Sequence, residues 1–327
     1  MSSVSRSAAN WTATLLAGLS CLVSPGLHAQ EFPSRRIILV VPYPPANAAD
    51  YVARLIQPRL AAALNQTVVV ENRPGASTNI GTAYVAHAVP DGHTLLFQVP
   101  NIATNEFMFK RTGWKRDDFV PVGALVRWSN VLVAGPSAPH TDFKQLLNAK
   151  NTSSLNYGSP GVGSLSNLAV EMLKGKSGLQ IQHVIYSGTA PMMNDLLGGN
   201  IQYGATNPAN FMSYVGDSKR KIKPLVVLGA ERDTTIPNVP ALSEFGISGI
   251  ESSGWLGVLA PAKTPPATVA RLNAEFKKIL QSPDVIKQLK DNYLQPFPST
   301  PEEFASLIAA ENKKWGAAIK AANIEAQ

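Results

Sequence analysis

Apolar residues in this chain fall into short β-branched runs that alternate with segments of helical period. The first run, Ile37 to Val41, has no polar position, the pattern of a strand covered on both faces. Pro42, Pro44 and Pro45 then end strand pairing and stiffen the backbone. Asn47 and Asp50 follow, spaced three apart like a loose capping box ahead of Val52, Leu55, Ile56 and Leu60 at helical intervals. A helix that starts there presents unpaired N–H groups and a partial positive charge, a setting for a carboxylate or phosphate.

The same alternation extends into two matched blocks. In the first, strand Ile37 to Val41 leads to helix Ala49 to Leu64, strand Thr67 to Glu71, loop Asn72 to Thr78, helix Asn79 to Ala88 and strand Thr94 to Val99. In the second, strand Leu155 to Gly158 leads through loop Ser159 to Ser164 into a helix ending near Lys174. Strand Ile181 to Tyr186, loop Ser187 to Ala190, a short helix Pro191 to Leu197 and strand Ile201 to Ala205 complete it. Each block is a βαβαβ unit, so the fold class is α/β. Val120 to Val133 is a long strand-like run that carries the chain out of the first unit, and Ser253 to Leu259 carries it back. Beyond Pro265 and Pro266 the pattern is helical, with Thr300 and Pro301 starting the last long helix. Pro58 lies inside the first helix and predicts a kink there. Two crossings divide the chain into a discontinuous first domain, 30–127 plus 255–327, and a second domain, 128–254.

Residues 1–29 stand apart from these blocks. One basic residue, Arg6, is followed by an apolar stretch from Trp11 to Val23 and by Leu27-His28-Ala29, the features of a secretory signal peptide cleaved after Ala29. Cys21, the single cysteine, falls within it, so the exported chain is expected to be soluble, periplasmic and without thiols. The 29 basic and 22 acidic residues give a formal charge of +7, from which the leader removes only Arg6. The cations are dispersed and not interleaved with aromatic residues, which speaks against nucleic acid as a partner.

Candidate chemistry gathers in four loops at the carboxyl ends of predicted strands, the edge where open α/β sheets bind ligands. The first supplies Tyr43, Pro45, Ala46, Asn47, Ala48 and Asp50; the second, after Gly75, supplies Ser77, Thr78 and Asn79. From the second block come Ser159, Gly161, Val162, Gly163 and Ser164, then Tyr186, Ser187, Gly188, Thr189 and Ala190. These residues are small or carry hydroxyls and amides. None of the four loops holds lysine or histidine, and Arg73 is the nearest arginine, so an anion there is held by backbone N–H groups, hydroxyls and water. Plain helix capping is the alternative for each loop. Trp255, on the returning strand, is either a core tryptophan or a cleft residue.

Enzymatic signatures are missing. Gly161-Val-Gly163 lacks the rest of a dinucleotide fingerprint, and there is no Gly-x-Ser-x-Gly elbow. His87, His93, His140 and His183 have no metal-ligand spacing. Neither cofactor nor metal is expected.

In order along the chain, Val40-Val-Pro-Tyr-Pro-Pro, Val70-Glu-Asn-Arg-Pro-Gly75, Asn79-Ile-Gly81, Pro90-Asp-Gly92, Asn156-Tyr-Gly-Ser159, Asp195-Leu-Leu-Gly-Gly199, Pro237-Asn-Val-Pro240, Trp255-x-Gly257 and the segment Pro261 to Pro265 resemble the signatures of the Bug-type periplasmic receptors, the substrate-binding proteins of tripartite tricarboxylate transporters. The resemblance implies a two-domain, type II-like periplasmic binding protein, each domain a mostly parallel sheet flanked by helices. It implies a hinge of crossed strands and closure on a small organic acid, gripped by loops of both domains and often through ordered water. It also implies membrane permease subunits as partners of a monomeric receptor; a sensor of the same solute is the alternative, and a periplasmic hydrolase the more distant one. The chain departs from that family at four places. Ala46-Asn47 and Ser77-Thr78 each replace a usual Gly-Gly, Asn167 stands where a histidine is common, and Thr206 beside Asn207 replaces an aspartate. Loss of that acid disfavours a ligand with a free ammonium, so the expected ligand is a non-amino carboxylate, aliphatic or aromatic, with Thr206 and Asn207 near it.

Overall fold

A computed structural model describes residues 32–45, 47–161, 164–216, 222–321 and 326. The expected leader with Cys21, and the site candidates Ala46, Val162 and Gly163, lie outside the described residues.

The first block folds as β1 (Ile37–Val41), α1 (Ala48–Leu64), β2 (Val68–Asn72), α2 (Asn79–Ala86), β3 (Thr94–Gln98) and α3 (Asn101–Met108). β4 (Phe119–Ser129) leaves it, and β5 (Val131–Ala134) and α4 (Phe143–Leu147) lead into the second block. There follow β6 (Asn156–Ser159), α5 (Leu165–Ser177), β7 (Gln182–Ile185), α6 (Thr189–Gly198), β8 (Tyr203–Thr206) and β9 (Lys223–Val227). β10 (Ser253–Pro261) returns, and α7 (Pro266–Leu280), α8 (Pro283–Asp291), β11 (Gln295–Pro296) and α9 (Pro301–Ala321) complete the chain.

Two sheets result, in strand order β11-β4-β10-β3-β1-β2 and β7-β6-β8-β5-β9. In each, the strands of the βαβαβ unit are parallel, and the crossing strands add to them antiparallel. The parallel sheets expected from the strand and helix alternation are therefore the halves of mixed sheets.

β1 shows why its apolar run has no polar position. Ile37, Leu39 and Val41 face an apolar layer with Val52, Ile56 and Leu60 of α1 and Leu272 and Phe276 of α7. Val40 faces the opposite layer, with Val85, Ile102, Trp255 and Phe304. The second sheet likewise has apolar layers on both faces. A further small cluster joins Leu168 of α5 to Met108 of α3 and to Trp315 and Ile319 of α9.

The run Val120 to Val133, expected as one strand, is broken at Asn130 into β4 and β5, which belong to different sheets. Asn130 N–H donates to the Ser252 carbonyl (3.0 Å), and its amide donates to the Ser252 hydroxyl (2.9 Å), tying the outgoing crossing to the returning one. Asp233 braces the same place, accepting from Ser129 N–H (3.2 Å) and from Gln295 (2.8 Å). α1 runs on through Pro58, and the helix expected over Asn79 to Ala88 ends at Ala86. The helix expected from Pro191 begins two residues earlier, at Thr189.

Candidate functional site

Because β1, β2 and β3 are parallel, their carboxyl ends share one edge of the first sheet, and the ends of β6, β7 and β8 share one edge of the second. All of the described candidate loops start at these edges. β10 runs antiparallel to β3 with Gly257 opposite Gln98, so Trp255 extends past the end of β3 at the same edge.

On the first sheet, Asn47 caps α1 by accepting the Asp50 N–H at 2.9 Å, the plain-capping alternative realised. Asp50 is buried, and its carboxylate takes Arg54 at 3.0 Å and the Asn72 amide at 2.9 Å. The Asn72 amide also donates to the Tyr43 carbonyl (3.0 Å), and the Tyr43 hydroxyl donates to Asn101 (3.0 Å), so this loop is fastened at both ends. Burial pushes the Tyr43 hydroxyl pKa up, keeping it a donor. Pro45 is exposed, and Ala48 is half-buried.

The loop before α2 is bent differently. Ala76, Ser77 and Thr78 have φ of +44°, +49° and +81°, three successive non-glycine residues in the left-handed region, a conformation that costs side-chain-bearing residues about 1 kcal/mol or more each. A network of buried amides holds it. Asn105 donates to the Ser77 carbonyl (2.7 Å) and to Asn79 Oδ1 (2.9 Å), and Trp114 Nε1 donates to the same oxygen (2.9 Å). Gln98 donates to the Thr82 hydroxyl at 2.7 Å and reaches Thr78 Oγ1 at 3.3 Å. With its oxygen doubly engaged, Asn79 leaves its own NH2 buried with no protein partner, the state a polar group avoids in a plain core. Thr78 makes no side-chain cap for α2.

On the second sheet, Ser159 ends β6 fully buried, and Ser164 caps α5 by accepting the Asn167 N–H at 3.3 Å. Gly188, with φ +139° and ψ 175°, enters α6 with no side-chain cap; Thr189 follows half-buried, while Ser187 and Ala190 are exposed. The Tyr186 hydroxyl donates to Asp195 at 2.8 Å; burial, then that carboxylate, pushes its pKa up to about 12. Thr206 is buried and accepts the Asn210 amide at 2.8 Å, and Asn207 Oδ1 is buried without a partner.

The two halves repeat one asymmetry. The first helix of each unit, α1 and α5, is capped by its own Asn or Ser; the second helix, α2 and α6, is not. Hence, among the helices within the two βαβαβ units, the starts with N–H groups left by their own side chains to another acceptor are Asn79 and Thr189, and α3, past the end of β3, also lacks a cap. Trp255 is buried edge-on to Phe304 at 5.1 Å, and its indole N–H has no protein partner. Arg73 turns away from these starts onto the Tyr84 ring (3.6 Å) and pairs with Glu71. Among the described residues no cluster of side chains is arranged to hold a metal, and no helix is long and apolar enough to cross a membrane. Sequence reasoning missed Gln98, Asn101 and Asn105. Their signal was a pair of asparagines four apart just past the carboxyl end of β3.

Residues 52–324 match the model of a family described as the tripartite tricarboxylate transporter family receptor. A protein of Pseudomonas sp. (strain P51), described as a UPF0065 protein in the tcbD-tcbE intergenic region, is 34% identical over 309 residues, covering 92% of this chain and 91% of its own. An R. palustris protein solved with adipate superposes with a TM-score of 0.81 at 30% identity, covering 91% of this chain and 100% of its own. MatC from Rhodopseudomonas palustris with bound malate gives 0.74 at 31% identity, covering 88% of this chain and 100% of that one.

Proposed function

The chain belongs to the tripartite tricarboxylate transporter receptor family, and on that premise we propose that it is exported by its leader, captures a small non-amino carboxylate in the periplasm, and delivers it as a monomer to the permease subunits of a membrane transporter. The lobes of this clamp are 30–127 with 255–327, and 128–254, turning about the stitched crossings at Asn130 and Ser252. The ligand bridges the starts of α2 and α6, and contacts to both lobes favour the closed state over the open one.

The observation that carries this reading is the matched pair of helix starts without side-chain caps, one in each half, the first of them with the buried and unpartnered Asn79 Nδ2 as a further donor. An anion suits such starts, since their N–H groups and helix dipoles act together. The single carboxylate in the described candidate loops, Asp50, is engaged by Arg54 and Asn72. It is not placed to receive an ammonium, so amino acids are disfavoured. Adipate and malate, each found in a similar protein, are the first ligands to try.

A thermal-shift panel of mono-, di- and aromatic carboxylates alongside amino acids tests the proposal, because a bound ligand stabilises the native state in proportion to its saturation. The expected result is a concentration-dependent rise in Tm for at least one carboxylate and none for amino acids. Stabilisation by amino acids alone, or turnover of the bound compound, would overturn it.

A further inference from the structure

Beneath the loop that enters α5 lies a chain of hydrogen bonds running from a surface ion pair to the loop itself. Lys174 pairs with Glu171 at 2.8 Å. The Tyr157 hydroxyl donates to Glu171 Oε1 at 2.6 Å, and its oxygen accepts the Asn167 amide at 2.8 Å. The same amide nitrogen lies 3.3 Å from His183 Nδ1, and His183 Nε2 lies 2.7 Å from Ser159 Oγ. Ser159 donates in turn to the Gly161 carbonyl at 3.1 Å, which also accepts the Ser164 N–H at 3.2 Å.

One set of proton positions satisfies every one of these distances. Glu171 can only accept, so Tyr157 donates to it and must accept from Asn167. The second amide proton of Asn167 then goes to Nδ1, which fixes the histidine proton on Nε2, pointing at Ser159. Ser159 has an acceptor pair filled by that proton, and spends its own proton on Gly161.

We propose that His183 and Asn167 are positioning residues: neutral His183, in its Nε2–H tautomer, holds Ser159 and the Gly161 carbonyl in place, and protonation of the ring releases Ser159 and Gly161, which lies against the Tyr186 backbone just ahead of α6, and weakens carboxylate binding at the α6 start. The effect on binding rests on the function proposed above. Protonated Nδ1 carries a hydrogen and no longer accepts from Asn167, so the amide must turn over, and its donation to Tyr157 is lost.

The groups around the ring agree with this tautomer. The Tyr157 ring of β6 stacks on the imidazole at 4.8 Å. Glu171 and Lys174 of α5 face it with opposite charges, and Ser159 of β6 closes the end. Burial is the largest influence on His183 and lowers its pKa; Glu171 opposes this and Lys174 adds to it. The ring is thus neutral at neutral pH.

The experiment is a ligand-free NMR titration of the full exported chain with labelled imidazole and backbone nitrogens. The expected result is an Nε2–H tautomer for His183 at neutral pH, and a midpoint below the ordinary histidine value of about 6.5. The Gly161 and Ser164 amide resonances should move with that midpoint and hold still in His183→Gln, whose amide supplies a non-titrating donor to Ser159. An Nδ1–H tautomer, loop amides that ignore the ring, or the same loop titration in His183→Gln overturns the inference. In a second arm, calorimetry with adipate compares wild type with His183→Gln at matched pH, which cancels the protonation of adipate itself. Rearranging one buried hydrogen bond predicts a Kd about fivefold weaker for the wild type once the ring is protonated, and equal affinities overturn the coupling. A protein that binds no adipate at any pH counts against the proposed function, while the ligand-free titration still decides the relay.

Discussion

The loops that precede α2 and α5 both lie at the carboxyl ends of parallel strands, one on each sheet, yet they are held by different chemistry. The first is bent through three left-handed residues with side chains and is pinned by the amides of Asn105 and Gln98, groups that carry no titratable proton. The second is pinned by a relay through Tyr157, Asn167 and His183 that begins at a charged pair. Topology dictates where each candidate loop sits, and the side chains beneath it decide whether a titratable group holds it.

Removing the pin of the first loop should have the largest effect. Asn105 is buried, and Asn105→Ala strands the Ser77 carbonyl while stripping one donor from Asn79. A stability loss of about 2 to 3 kcal/mol is expected from denaturant unfolding, with weaker carboxylate binding; a loss under about 0.5 kcal/mol would show that the strained loop needs no pin.

A smaller loss is expected at the start of α6. A Cβ on Gly188 would meet no atom within 4 Å, so Gly188→Ala tests the backbone alone. Its φ of +139° with ψ 175° is a region essentially reserved for glycine, and thermal unfolding should register a cost of about 2 kcal/mol. Wild-type stability in this variant would show that the entry to α6 does not depend on a glycine-only backbone.

The pH dependence of stability sharpens the contrast next. His183 has a lowered pKa in the folded protein, so the unfolded chain binds more protons as pH falls through the ordinary histidine value of about 6.5. Stability contributed by the neutral ring is therefore full above that value and declines below it. His183→Gln should flatten the decline between about pH 6.5 and 5, as measured by urea unfolding at several pH values, whereas Asn105→Ala should leave its slope unchanged.

Ser77→Gly should produce the smallest change. Glycine relieves a left-handed cost of about 1 kcal/mol but loosens the unfolded chain by a similar amount. The net effect is expected within about 0.5 kcal/mol in the same unfolding assay, and a large loss would mean that the Ser77 side chain does something beyond tolerating its conformation.

Much of this architecture was legible in the sequence because hydrophobic period reports burial directly. Ile37 to Val41 could only be a strand covered twice, and the α1 and α5 caps were announced by Asn47 and Ser164 standing before helical periods. The break at Asn130 was not visible, since Val120 to Val133 is apolar on both sides of it and nothing local says that its halves join different sheets. α3 was hidden for the opposite reason. Its Asn101, Thr104 and Asn105 are polar, and most of them are buried for hydrogen bonding rather than exposed, which hides the apolar stripe. Asn167 and His183 are sixteen residues apart, so their contact arises only when β6 and β7 pair.

The claim that one carboxylate bridges both halves is tested most directly by following backbone amide resonances of the exported chain during titration with adipate. The Asn79 and Thr189 amides should shift together and saturate at one Kd. Shifts confined to one half, or an adipate response that leaves both helix starts unmoved, would contradict it.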